Sequence, residues 1–139
     1  MDDQRLQRVA DELEVRNVIA RLAHLADDGD LDEYIQIFTP DAVWEGAAGF
    51  AARNGREDIL SGARERRESG TSGPGTHTRH VVSTTEVRLD GDQASSQSVF
   101  RYYTGSNAKP ELLLMGVYQD EFRRTPEGWR LARRRIANP

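Results

Sequence analysis

Thr78-Arg79-His80-Val81-Val82-Ser83-Thr84-Thr85-Glu86-Val87-Arg88-Leu89, followed by Asp90-Gly91-Asp92 and then Ala94 to Tyr103, is the stretch that decides the fold. Its first arm is rich in β-branched residues, and the Asp-Gly step between the arms suits a tight hairpin turn. Working downstream, Thr104-Gly105-Ser106-Asn107 breaks the second arm. Leu112 to Phe122 is nearly continuous in its apolar part and predicts a central strand buried on both faces. Thr125-Pro126-Glu127-Gly128 turns the chain into a last strand, Trp129 to Ile136.

Upstream of Thr78 the periodicity changes. Leu6, Val9, Leu13, Val15, Val18, Ile19, Leu22 and Ala26 recur at three- and four-residue steps, predicting an amphipathic helix from Asp3 to Asp27. Gly29 ends it, and Asp30 caps a shorter helix carrying Leu31, Tyr34, Ile35 and Phe38. Thr39-Pro40-Asp41 closes that helix, because a proline disfavours helix in the residue before it. Ala42-Val43-Trp44 reads as a short strand and Ala47 to Gly55 as a loop or brief hairpin. A third helix runs from Gly55 to Arg67, with Ile59, Leu60 and Ala63 inward. Ser69 to Gly75 has turn formers at nearly every position, so it is either a plain surface loop or a flap beside a pocket. Three helices and then a run of strands predict one α+β domain over residues 1–139. Its helices lie against one face of a curved antiparallel sheet.

The chain carries a net charge of -4, which gives no electrostatic case for nucleic acid. It has no cysteine, which removes disulfides, thiolate metal sites and a cysteine nucleophile together. No stretch approaches the ~18 apolar residues of a membrane span. Met1-Asp2-Asp3-Gln4-Arg5 is too polar to open a secretory signal, so a cytoplasmic address is expected. No pattern of metal ligands, phosphate-loop glycines or Gly-x-Ser-x-Gly is present. Neither a metal nor a cofactor is expected.

Two residues stand out chemically. Asp27 falls just beyond the edge of the first helix's apolar stripe, beside Ala20 and Ala23. Position alone suits a solvated acidic helix end shared with Asp28 and Asp30, or an acid presented into a cavity. Carboxylates at a helix C-terminus oppose its dipole, which tilts the balance toward a functional reason. His80 lies in a predicted strand, where a histidine is either packed or a proton-transfer group working near neutral pH. A carboxylate on one ring nitrogen would fix its tautomer and leave the other as base. His77 has the opposite strand parity to His80, which argues against a two-histidine metal site, and His24 falls on the polar helix face. Arg133-Arg134-Arg135 reads as a charged edge strand, with alternation turning at least one of the three inward.

The stretches Leu25-Ala26-Asp27-Asp28-Gly29-Asp30-Leu31-Asp32-Glu33-Tyr34 and Phe38-Thr39-Pro40-Asp41-Ala42-Val43-Trp44 resemble the N-terminal signature of SnoaL-like proteins. These belong to the nuclear transport factor 2-like superfamily. Thr78 to Ser83, the hairpin at Asp90-Gly91-Asp92, and Gly128-Trp129-Arg130-Leu131-Ala132 continue the resemblance in order along nearly the whole chain. It implies a cone-shaped sheet whose deep apolar pocket is closed by the N-terminal helices. Similar members include scytalone dehydratase, hexachlorocyclohexane dehydrochlorinase and bile-acid dehydratase, which use an Asp–His pair for elimination. That pair matches Asp27 and His80.

The resemblance also implies that Trp44, Phe100 and Tyr102 line the pocket wall, with Arg134 at its far end. A small apolar, aromatic or alicyclic substrate and a homodimer or homotrimer are implied as well. Several such dehydratases carry a tyrosine one helical turn before the aspartate, where this chain has Leu22; Tyr102 is the substitute expected here. The activity implied is acid–base elimination or isomerisation. Its rivals are a polyketide-cyclase-like condensation, a non-catalytic binding or dimerisation module, and the small subunit of a ring-hydroxylating dioxygenase.

Overall fold

A computed structural model describes residues 2–47 and 49–139. Helix α1 spans Asp3–Asp28, capped by the Asp2 carboxylate on the Arg5 amide, and α2 spans Leu31–Gln36 behind the Asp30 cap. Strand β1 (Phe38–Glu45), the short β2 (Arg53–Asn54) and helix α3 (Gly55–Glu68) follow. Four long strands complete the chain: β3 (Arg79–Asp90), β4 (Gln93–Thr104), β5 (Glu111–Thr125) and β6 (Gly128–Ala137). They form one sheet in the order β2-β1-β6-β5-β4-β3. It is antiparallel except where β1 lies parallel to β6, a pairing between strands far apart in sequence that local pattern does not reveal. Register shifts interrupt β3 between Ser83 and Glu86 and β4–β5 at Tyr102/Tyr103. Such irregularities bend a sheet, here into an unclosed curve against which α1 and α3 pack.

The second helix is shorter than its sequence predicts. Phe38 and Pro40 belong to β1, and Pro40 sits in the stretch between Phe38 and Val43 where the β1–β6 register shifts, a place that spares a missing amide. The first helix is longer than its buried stripe. Leu6, Val9 and Leu13 are exposed, because nine residues, as from Leu13 to Leu22, is half a turn of offset. The face that meets the sheet instead runs through Asp11, Val15, Val18, Leu22 and Leu25. Its apolar members pack with Phe38, Phe122, Trp129 and Leu131 into the core. Burying each such side chain is worth roughly 1.5–3 kcal/mol.

The upper end of that interface is polar. The Asp11 carboxylate accepts from Arg124 Nη1 and Nη2 at 2.8 and 2.7 Å and from Trp129 Nε1 at 3.2 Å, while Glu14 accepts the Trp129 amide at 2.5 Å. Arg124 above all, helped by Trp129 and Gln7 against burial, lowers the Asp11 pKa from 3.8 to about 2. A carboxylate depressed by folding stabilises the fold above its unfolded value and ceases to as pH falls through its folded value. Asp11→Asn should therefore lower the denaturation midpoint at pH 6, and the gap to wild type should close as pH falls from 4 to 2. Urea unfolding across that range measures both.

Strand β5 also departs from expectation. Leu112, Leu113, Leu114 and Met115 are exposed rather than buried on both faces. The reason is length, since β6 reaches only as far as Ala137 opposite Val117, leaving the first residues of β5 paired to β4 alone. At Gly116 a Cβ would stand 2.5 Å from the Phe100 ring, so glycine is what lets that ring lie over β5.

Candidate active site

The end of α1 and the start of β3 meet across 53 residues of sequence. Asp27 Oδ2 accepts the His80 backbone amide at 2.8 Å, and Asp27 Oδ1 lies 2.6 Å from His80 Nδ1. Asp27 is only 4% exposed and stands behind the imidazole, whereas His80 itself lines a cavity. A carboxylate accepts only, so the neutral imidazole that suits this contact is the one with its proton on Nδ1 and its lone pair on Nε2. Of the two side chains, His80 alone borders the cavity, and Asp27 holds it from behind.

The cavity holds about 580 Å³, within the range of pockets that enclose small organic molecules. Much of its lining is apolar, from Leu22, Ala23, Ala26, Ile59, Leu114 and Ile136 among others. Aromatic rings form one wall. His80 pairs across the β3–β4 ladder with Tyr102, with ring centres 4.7 Å apart, and lies 6.4 Å from Phe100. Phe100 stacks on Tyr118 at 4.1 Å and 10°. The Arg134 guanidinium covers Tyr118 at 3.6 Å, held by Asp120 through Nε and Nη2 at 2.9 Å each. Both members of that pair are almost fully buried. Burial pushes the Tyr118 phenol up to about 12 and keeps it neutral. Trp44 also lines the cavity, with the Arg66 and Arg134 guanidinium groups each 5.6 Å from its ring.

The loop 69–75 is part of this wall. Thr71 and Ser72 line the cavity, the Thr71 amide donates to the Arg66 carbonyl at 2.9 Å, and the Tyr102 hydroxyl donates to the Thr71 carbonyl. Gly73 packs so closely that a Cβ there would meet the Arg67 side chain at 2.7 Å. Trp44, Phe100, Tyr102 and Arg134 thus all border the same cavity as His80. His77 lies just outside β3 with a positive φ of 56°, and His24 is exposed.

A family model described as a SnoaL-like domain matches residues 7–135. The chain belongs to the SnoaL-like domain family. It is 30% identical over 128 residues to uncharacterised proteins of Mycobacterium tuberculosis and Mycobacterium bovis, covering 91% of this chain and 84% of each relative. A solved nuclear transport factor 2-like protein with a cystatin-like fold, from Novosphingobium aromaticivorans, superposes with a TM-score of 0.82 at 28% identity. The match covers 99% of this chain and 91% of that one. The protein Aln2 from a Streptomyces species shares the fold, with a TM-score of 0.77 at 22% identity over 91% of this chain and 89% of the other. The family includes polyketide cyclases, isomerases and dehydratases.

Several cavity residues of this SnoaL-like domain escape a sequence reading. Tyr34 reads as an ordinary inward residue of α2, yet its hydroxyl is buried beside the cavity without a hydrogen-bond partner among the described residues. Burial pushes its phenol up, against the pull of Arg66 and Arg134. Arg66 reads as one more charge on a polar helix. Asp120 alternates with its neighbours in β5, and only its register opposite Arg134 reveals an ion pair. Among the described residues, no three histidine, cysteine or acidic side chains converge as a metal site would require. No helix among the described residues is long and apolar enough to cross a membrane.

Proposed function

We propose that this SnoaL-like domain is an acid–base lyase or isomerase that acts with its own side chains on a small, largely apolar substrate. The observation that carries this reading is the pair of hydrogen-bond contacts of His80 with Asp27, backbone N–H to Oδ2 and Nδ1 to Oδ1, which fixes an imidazole that borders the cavity. In the proposed step Nε2 takes a proton from an acidic C–H, and the electron pair left on carbon becomes a new double bond. Either a β-substituent leaves with its bonding electrons, or the proton returns at another carbon. In both cases the imidazolium gives its proton back and the base is regenerated. Apolar walls strengthen the Asp27–His80 interaction by excluding water.

Tyr102, the substitute expected for the tyrosine that Leu22 replaces, stands beside His80 with its hydroxyl committed to Thr71. The test needs no knowledge of the natural substrate. Wild-type protein in D₂O should accelerate hydrogen–deuterium exchange at the activated C–H of cyclic ketones such as 2-tetralone, followed by proton NMR. Exchange no faster than in buffer, across a panel of such carbon acids, would count against the proposal.

A further inference from the structure

We infer that the end of the cavity remote from His80 is an oxyanion site, and that the substrate carries a carboxylate there. Naming the ligand a substrate rests on the function proposed above; the site itself does not. Although the chain is acidic overall, the charges bordering this cavity are reversed. Arg53, Arg66, Arg67 and Arg134 line it against a single acid, Glu65. Two of the four arginines are already engaged. Arg53 is paired with Asp58 and Glu65, and Arg67 donates to the Leu25 carbonyl at 3.0 Å.

The other two are incomplete. Arg134 gives Nε and Nη2 to Asp120, while its Nη1 makes no hydrogen bond to the described residues. Arg66 has no carboxylate partner among them, and its guanidinium stands over the same Trp44 ring as that of Arg134. Tyr34 adds a hydroxyl that is buried, cavity-lining and unpartnered among the described residues, with Arg66 and Arg134 the charges acting on it.

The Arg66 and Arg134 guanidinium groups and the Tyr34 hydroxyl therefore border one end of an apolar cavity, with more N–H donors than the single phenol oxygen among them can accept. A carboxylate is the complementary ligand, because it only accepts and has several lone pairs to fill. Guanidinium groups suit it further through charge-assisted bonds. Leaving the Arg66 cation partly dehydrated without a counter-ion is costly, so a neutral ligand that displaced its water would bind poorly. The Phe100–Tyr118 stack separates this end from His80 and offers a flat surface to an aromatic or alicyclic body.

The test is calorimetric titration of the full chain with 2-naphthoate and with its neutral analogue 2-naphthamide. Wild type should prefer the carboxylate by about tenfold or more, the scale of one charge-assisted bond. Arg66→Gln and Tyr34→Phe should each remove much of that preference by weakening naphthoate several-fold more than naphthamide. Both variants keep the Asp120–Arg134 pair, so folding is not at stake in the way it is for Arg134. His80→Gln should keep the preference. Equal affinity for the two ligands, no binding of either, or a preference untouched in both variants overturns the inference. A carboxylate preference without any C–H exchange would sustain this site and defeat the proposed function; exchange without the preference would do the reverse.

Discussion

His80→Gln should slow carbon-acid exchange by roughly 10²- to 10⁴-fold, the usual contribution of a positioned general base, with little change in melting temperature. Glutamine can still offer an N–H to Asp27, so the buried carboxylate keeps a partner and the fold is spared the cost of an unsatisfied acceptor. Asp27→Asn should lose activity on the same scale for a different reason. Asp27 accepts two N–H groups of one residue, the His80 amide and Nδ1. An asparagine has one acceptor and one donor to offer. If its oxygen stays on the backbone amide, its NH₂ faces Nδ1, which must then accept, and the proton moves to Nε2. The base is then blocked although the geometry is kept. The opposite flip leaves the backbone amide facing a donor and costs roughly 1–3 kcal/mol. Retention of wild-type exchange rates by both variants would contradict the proposed role.

The largest expected loss of stability is at the other end of the cavity. Asp120→Ala leaves the Arg134 guanidinium buried without its counter-ion, and breaking a buried pair from one side costs roughly 3–5 kcal/mol. For a domain of this size that corresponds to a fall in melting temperature of roughly 10–20 °C. The double variant Asp120→Leu/Arg134→Leu should recover most of the loss, because apolar groups of similar volume often replace a buried pair at little cost. It should also weaken naphthoate binding, since Arg134 serves the oxyanion site. Differential scanning fluorimetry of the single and double variants measures the first effect. A single variant that melts within a few degrees of wild type would show that water reaches the pair.

How far the sequence foretold this molecule depended on the range of the interactions involved. The β3–β4 hairpin and the last turn are local, and Asp90-Gly91-Asp92 and Pro126-Glu127-Gly128 mark them openly. The β1–β6 pairing joins strands far apart in sequence, and nothing near Trp44 announces that Arg134 lies opposite it. Counting three- and four-residue steps admitted Leu6, Val9 and Leu13 to the buried stripe; their angle to Leu22 places them on the outer face. Leu112 to Met115 show that an apolar run can reach past the strand that would have covered it.

The site was divided in the same way. Asp27 on a helical wheel is an acidic end, and its burial becomes intelligible only with His80 in place. The pairing of those two rested on a family resemblance and could not have come from spacing. Tyr34 and Arg66 carry no signal of their own, since an inward tyrosine and an arginine on a polar helix are ordinary. Their meaning lies in what they lack, which only a three-dimensional inventory of partners can show.

The most direct test of the Asp27–His80 arrangement is nitrogen-15 NMR of the His80 ring in the uncomplexed protein at neutral pH, with Asp27→Asn as the comparison. The expected result is a protonated Nδ1 with a strongly downfield, exchange-protected proton and an unprotonated Nε2, shifting to the Nε2–H tautomer in the variant. A wild-type ring protonated at Nε2, or one whose signals are unaffected by Asp27→Asn, would contradict the arrangement.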